Sequence, residues 1–278
     1  MPATLACAGY RLALDRPRLM GVVNLSSDSF SGDGCAGDSS RAIERGLRLV
    51  EEGADILDLG AESSRPGASP VSAEVELSRL LPVLEGLLPC GVPISVDTAK
   101  PEVMRAAGAA GAAMINDIQA LEAPGAMAAA ASATAALCLM HMQGTPATMQ
   151  RQPYYRDVVQ EVFDYLSRRV AAALAAGVAR ERLVVDPGFG FGKTLAHNLL
   201  LLRHLDRFVA LGVPLLVGIS RKSMLGAITG RPVGERLAAS VAAAILAAQR
   251  GAAILRVHDV AATRDALKVL DAVNMEDK

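Results

Sequence analysis

Short apolar runs in this sequence end, one after another, in side chains able to do chemistry: Asn24, Asp58, Asp97, Asn116, His141, Asp186, Ser220 with Arg221 and Lys222, and Arg256 with His258. Asp97, Asn116 and Asp186 would offer acceptors and one mixed donor/acceptor, and Lys222 adds a donor and a charge. Carboxylates accept paired N–H donors and an amide does both, so this set can read the edge of a flat heterocycle rich in N–H and C=O groups. A metal cage is the rival reading, but it calls for carboxylates or His in tighter sequence pairs. Arg256 and His258 are two apart and so share a face if they lie on a strand. With Lys222 they make an anion site of the phosphate-binding kind. The competing assignment for Arg256 is a salt bridge to Asp259 or a helix acid. Asn24 suits a hydrated Mg²⁺ on the anion, because Mg²⁺ keeps most of its waters and needs few protein ligands.

The stretch from Leu183 to Thr194 is a β-branched run ending in Asp186-Pro187, then three glycines alternating with Phe189 and Phe191. It reads as a buried strand emptying into a tight loop. Gly192-Lys193-Thr194 matches the end of a P-loop, but the first glycine of that motif falls on Pro187, whose missing N–H cannot cradle a phosphate. Phe191 could flank a ring or tuck against a rim. Two further loops are polar. Residues 26–34, with Phe30 among serines and acids, suit a lid, and 62–67, with Arg65 beside Pro66, suit a carboxylate or phosphate.

These groups need a scaffold that gathers strand ends. Candidate strands at 19–25, 55–60, 93–97, 113–116, 136–142, 183–186, 214–220 and 253–258 alternate with amphipathic segments at 39–53, 73–89, 101–110, 124–133, 157–178, 197–210, 223–250 and 261–273. Asp38 to Ser40 and Asp157 mark helix starts; Gly53, Gly108, Gly177, Gly212 and Gly251 mark helix stops. Eight such units outline an α/β chain closed as a (β/α)₈ TIM barrel, whose site lies at the C-terminal strand ends. A doubly wound sheet competes but has no need of eight units. Residues 1–18 precede the barrel as an extension with hairpin-like alternation, and 19–278 form the barrel itself.

At 278 residues and 51% hydrophobic, the chain can bury a large core. Its 28 Lys and Arg against 29 Asp and Glu give a net charge of −1, which argues against a nucleic-acid or acidic-membrane partner. The four cysteines form no C-x-x-C pair, which fits a reducing, cytoplasmic location and argues against a zinc site. No secretory leader or membrane-length apolar run is expected. From Leu237 to Ala248 only Ser240 is polar. A helix apolar nearly all round is covered on more than one side, which predicts a homodimer interface there, with a thick outer loop as the other way of covering it.

Taken together the motifs resemble the dihydropteroate synthases of the pterin-binding barrel family. The resemblance runs from Met20 to Val273. It rests on Met20-Gly21-Val22-Val23-Asn24 with Asp28-Ser29-Phe30, Arg65-Pro66-Gly67, Ser95-Val96-Asp97, Ile115-Asn116-Asp117-Ile118, Met140-His141-Met142-Gln143-Gly144, the Asp186 to Lys193 stretch, Ser220-Arg221-Lys222-Ser223 and Arg256-Val257-His258. It implies a TIM-barrel transferase, usually homodimeric, that joins 6-hydroxymethyl-7,8-dihydropterin pyrophosphate to 4-aminobenzoate in folate biosynthesis. Pyrophosphate departs first, and the arylamine captures the pterin cation. It further implies that Asp97, Asn116, Asp186 and Lys222 hold the pterin, with Met140 and Gly218 in the wall. Asn24, Ser64, Arg256 and His258 would hold pyrophosphate, Asn24 through Mg²⁺. Ser64, Pro66, Phe191, Lys222, Ser223 and Phe30 would form the aminobenzoate pocket, with Asp97, Lys222, Arg256 and His258 as the catalytic set. Methyl transfer within the same family and a non-catalytic pterin-binding relative are the alternatives.

The sequence departs from that family pattern in three places. Ser26-Ser27 replaces Thr-Pro, which removes a rigid φ and predicts a looser lid. Ser31-Gly32-Asp33-Gly34 shifts an acid by one position. Ser64 stands for Thr and Ala61 for Gly. None removes a strand-end group, so the expectation is an active enzyme with altered aminobenzoate or sulfonamide affinity.

Overall fold

The protein is described by a computed structural model covering residues 4–26, 38–63 and 67–274. Eight parallel strands run β3 (Arg18–Asn24), β4 (Ile56–Gly60), β5 (Ile94–Asp97), β6 (Met114–Asp117), β7 (Ala136–Met140), β8 (Leu183–Asp186), β9 (Leu216–Val217) and β10 (Ile254–Val257). Each pairs with its sequence neighbour and β10 returns to β3. A single parallel bridge, Val185 to Leu215, closes the ring between β8 and β9. The expected barrel is therefore present. The one strand much shorter than expected is β9: of 214–220 only two residues are paired as strand. Pro214 has no N–H to give a ladder.

The helices are α1 (Ser39–Glu51), α2 (Ala73–Leu87), α3 (Pro101–Ala109), α4 (Ala126–Ser132), α5 (Val158–Ala175), α6 (Leu195–Arg203), α7 (Ser223–Thr229), α8 (Leu237–Gln249) and α9 (Val260–Asn274). Asp38 and Asp157 cap α1 and α5 by accepting from backbone N–H groups, as their positions predicted. Gly108, expected as a stop, lies inside α3 instead; the left-handed turn falls three residues later, at Gly111 with φ 103°. The helix expected over 223–250 is two helices, because Gly230 takes φ 71° and Pro232 follows it. The segment at 197–210 likewise divides into α6 and a 3-10 turn, Leu205–Leu211.

The extension forms the hairpin β1 (Thr4–Cys7) and β2 (Tyr10–Ala13). It buries Leu5 and Cys7 against Met20, Ile56, Met114, Cys138, Val184 and Ile254, the inward residues of the barrel floor. The hairpin therefore closes the N-terminal end to water, and polar groups are concentrated at the other end.

Candidate active site

Strand register explains why the polar ends meet. Asn24 pairs with Gly60, Gly60 with Asp97, and Asp97 with Asn116, so three of the expected groups stand at one height around the mouth. Asp58 lies two residues deeper than Gly60 on the same face, fully buried. It is the group that the sequence left without a role, and it anchors the wall. Arg256 Nε donates to Asp58 Oδ2 at 2.6 Å, Arg256 Nη2 donates to Asp97 Oδ2 at 3.3 Å, and Asn116 Nδ2 reaches Asp58 Oδ2 at 3.4 Å. Neither Asp58 Oδ1 nor Asn116 Oδ1 has a hydrogen-bond partner among the described residues, and both are buried. A wall with unbonded acceptors beside a guanidinium fits a ligand that brings N–H donors.

Asp186 ends β8 nearby, buried, and accepts from Gly188 N at 2.7 Å. Burial raises its pKa, against the pull of the Lys222 ammonium. Lys222 donates to the Phe189 carbonyl and lies 4.7 Å from the centre of the Phe191 ring, a cation–π contact. Burial lowers its pKa to about 8, with Asp186 opposing. Asp97 moves the other way, to about 7, through burial and then the Asp58 charge, with Arg256 opposing. An acid and a base thus both titrate close to neutral pH, a combination typical of functional sites.

The structure adds carboxylates to one expected cluster. Arg256 acts electrostatically on both His258 and Lys222, while its guanidinium is bonded to Asp58 and Asp97, and Asp259, its other expected partner, takes Arg221 instead at 3.0 and 2.5 Å. His258 faces Ser220, Nδ1 to Oγ at 3.0 Å. Burial, then Arg256 and Arg221, lower its pKa to about 3, so it is neutral at pH 7. His141 turns away from the mouth, with Nδ1 2.9 Å from Lys193 Nζ and its ring edge-on to Tyr165. Met140 is buried at the end of β7, opposite Asp186 in register. Ser223 opens α7 and is exposed. Asn24 is half-buried at the end of β3. Phe30, Ser64 and Pro66, with Arg65 and most of the expected lid, lie outside the described residues.

A closed parallel barrel with a polar, mixed-charge mouth at its C-terminal strand ends defines a small-molecule enzyme of the TIM-barrel class. The pattern of the family described as pterin binding enzyme matches residues 20–258. The dihydropteroate synthase of Neisseria meningitidis serogroup B is 50% identical over 273 residues, covering 96% of each chain. Two solved structures of the Xanthomonas albilineans dihydropteroate synthase superpose on this chain. The one with 4-aminobenzoic acid does so at a TM-score of 0.93, 54% identity and 100% coverage of both chains. The one in complex with 7,8-dihydropteroate does so at 0.89 and 50% identity, with 99% of this chain and 100% of that one covered. This chain belongs to the pterin-binding enzymes, and within them to the dihydropteroate synthase family.

Proposed function

We propose that this chain is a transferase that condenses 6-hydroxymethyl-7,8-dihydropterin pyrophosphate with 4-aminobenzoate to give 7,8-dihydropteroate and pyrophosphate. The observation that carries the reading is the Asp58–Arg256–Asp97–Asn116 wall, with its buried unbonded acceptors, set near Lys222 over Phe191.

In this reading Asp97, Asn116, Asp186 and Lys222 hold the pterin edge against Met140 and Gly218. Asn24, Ser64, Arg256 and His258 receive the pyrophosphate. Phe191, Lys222, Ser223, Ser64, Pro66 and Phe30 enclose the aminobenzoate. The C–O bond to pyrophosphate breaks, with its electron pair leaving on oxygen. The arylamine lone pair then closes the C–N bond and the amine loses a proton. Arg256 would exchange part of its hold on the carboxylates for the departing anion. Asp97, released in turn, would face the pterin cation, an electrostatic division suited to a charge-separated transition state.

No group of three or more His, Cys, Asp or Glu suited to a metal exists among the described residues. Asn24 as a single amide ligand fits Mg²⁺ only where the pyrophosphate itself supplies most of the remaining coordination. Such an ion would supply charge neutralisation to the leaving group.

We also place the enzyme in the cytoplasm as a homodimer. Cys7, Cys90 and Cys138 are free thiols, consistent with a reducing compartment, and no helix among the described residues is long and apolar enough to cross a membrane. On α6, α7 and α8, Leu199, Leu200, Ile228, Leu237 and Leu246 are 40–54% exposed, a neighbouring apolar set that a second copy would cover. The experiment is pyrophosphate release from the dihydropterin pyrophosphate with Mg²⁺, with and without 4-aminobenzoate. Release that requires the arylamine and yields dihydropteroate is the expected result. Tight pterin binding without release would replace the proposal with a non-catalytic pterin-binding role.

A further inference from the structure

The Gly188–Gly192 loop is held by its carbonyls. Five successive oxygens are each taken by a side-chain donor: Gly188 by Lys193 at 2.9 Å, Phe189 by Lys222, Gly190 by Gln150 at 2.6 Å, Phe191 by Lys193 at 3.0 Å, and Gly192 by the Tyr155 hydroxyl at 2.9 Å. Lys193 is the donor used twice. Lys193 is 3% exposed, and its remaining acceptors are His141 Nδ1 at 2.9 Å and the His141 carbonyl at 3.4 Å. Among the described residues no carboxylate pairs with it, although a buried ammonium ordinarily requires one. Burial pushes its pKa well down against the Asp186 charge, and the groups that hold the amine directly are neutral acceptors.

The loop has little room to relax elsewhere. A Cβ on Gly188 would lie 1.9 Å from the His141 carbonyl oxygen, and one on Gly192 would lie 2.5 Å from that of Gln143. The loop is thus pressed onto the end of β7 and its continuation. Lys193 grips it on one side while Lys222 bonds the Phe189 carbonyl and covers the Phe191 ring on the other.

We propose that Lys193 is a positioning residue for the arylamine pocket: by fixing the carbonyls of Gly188 and Phe191 it sets the loop segment between them, and with it the Phe191 ring and the Phe189 carbonyl that holds Lys222. This rests on the functional reading above. Lys193 touches no substrate. Its effect on the aminobenzoate side passes through the Phe191 ring; Lys222, which serves both substrates, keeps the Asp186 charge beside it, and Asp97, Asn116 and Asp58 stand on strands that the loop does not carry.

The test is steady-state kinetics of Lys193→Met and of the milder Lys193→Gln, each on the full chain. The expected result is a KM for 4-aminobenzoate raised by about tenfold or more in K193M and by less in K193Q, with the KM for dihydropterin pyrophosphate changed by less than about threefold. A purely structural role would lower the folded fraction, and hence kcat, while leaving both KM values alone; that outcome overturns the proposal, as does an equal rise in both. If the parent enzyme itself makes no dihydropteroate, the functional reading has failed instead. Should neither variant fold, Lys193→Arg, which keeps a donor on the loop carbonyls, is assayed in the same way: a selective rise in the KM for 4-aminobenzoate supports the proposal, and unchanged KM values or an equal rise in both overturn it.

Discussion

Arg256 and Asp58 meet at 2.6 Å in the floor of the mouth, and Asp58 is wholly enclosed while the arginine remains 22% exposed. The carboxylate cannot reach solvent if its partner is removed. Arg256→Met should therefore destabilise the fold by about 3–5 kcal/mol, the usual cost of stranding one member of a buried pair. Adding Asp58→Asn should recover much of that loss, since the two changes are coupled through a direct contact. Urea denaturation of the two singles and the double checks this. Strictly additive changes would mean that the pair is not the unit described.

Asp97 and Lys222 predict a narrow pH optimum. Accepting pterin N–H groups needs Asp97 ionised, and donating needs Lys222 protonated. With Asp97 near 7 and Lys222 near 8, kcat/KM should fall below about pH 7 and above about pH 8. Stability gives a second readout of the acid. The folded pKa of Asp97 lies above its ordinary 3.8, so between about 4 and 7 the native chain holds the extra proton and stability falls as pH rises. A flat kcat/KM between pH 5 and 10 would contradict both assignments.

His258 should take up a proton when pyrophosphate binds. Burial and two arginines keep it neutral in the free enzyme, at about 3. A neighbouring multivalent anion favours the imidazolium and raises that value. Calorimetry of pyrophosphate binding at about pH 6, in buffers of different ionisation enthalpy, should report net proton uptake that His258→Gln lacks. In the free enzyme the sign is the reverse of that for Asp97: below the ordinary 6.5 the unfolded chain binds the extra proton, so this residue lowers stability as pH falls from 6.5 towards 3.

The parts of the site that could be read from the sequence are those governed by local periodicity. Asp97, Asn116 and Asp186 are legible because each lies at the C-terminal end of a short apolar run, and barrel closure then brings the strand ends together. What periodicity cannot show is which side chain pairs with which. Arg256 finds Asp58, 198 residues away, rather than its sequence neighbour Asp259, and that choice belongs to the packed mouth alone. His141 directly follows β7, yet turns to Lys193 because the glycine loop occupies the space beside it. Lys193 itself resembled the tail of a phosphate loop. Its loop turns carbonyls to cations, the opposite polarity to a phosphate cradle, and only the tertiary contacts reveal this. Gly108 continues a helix and Gly230 breaks one because a glycine stops a helix only where the chain takes positive φ, which composition alone does not specify.

Lys100 is the last group whose charge can be tested cleanly. It follows β5 and donates both to Glu62, beyond β4, and to Glu76 Oε2 at 2.6 Å on α2. Glu76 is 1% exposed, so Lys100 is what permits an ionised carboxylate there. Glu62 in turn accepts from Val71 N at 3.2 Å, so one ammonium ties α2 to the segment preceding it. Burial lowers the pKa of Lys100, but its two hydrogen-bonded carboxylates outweigh that and raise it overall. Its contribution is accordingly present below the ordinary lysine value of 10.5 and lost as pH rises beyond the folded value. Lys100→Met should cost about 3–5 kcal/mol at pH 7 by leaving Glu76 enclosed and unpaired. Glu76→Gln in the same chain should restore part of it, because a buried amide is less costly than a stranded carboxylate. If Lys100→Met alone leaves the urea midpoint unchanged, the Lys100–Glu62–Glu76 contacts do not hold α2 as described.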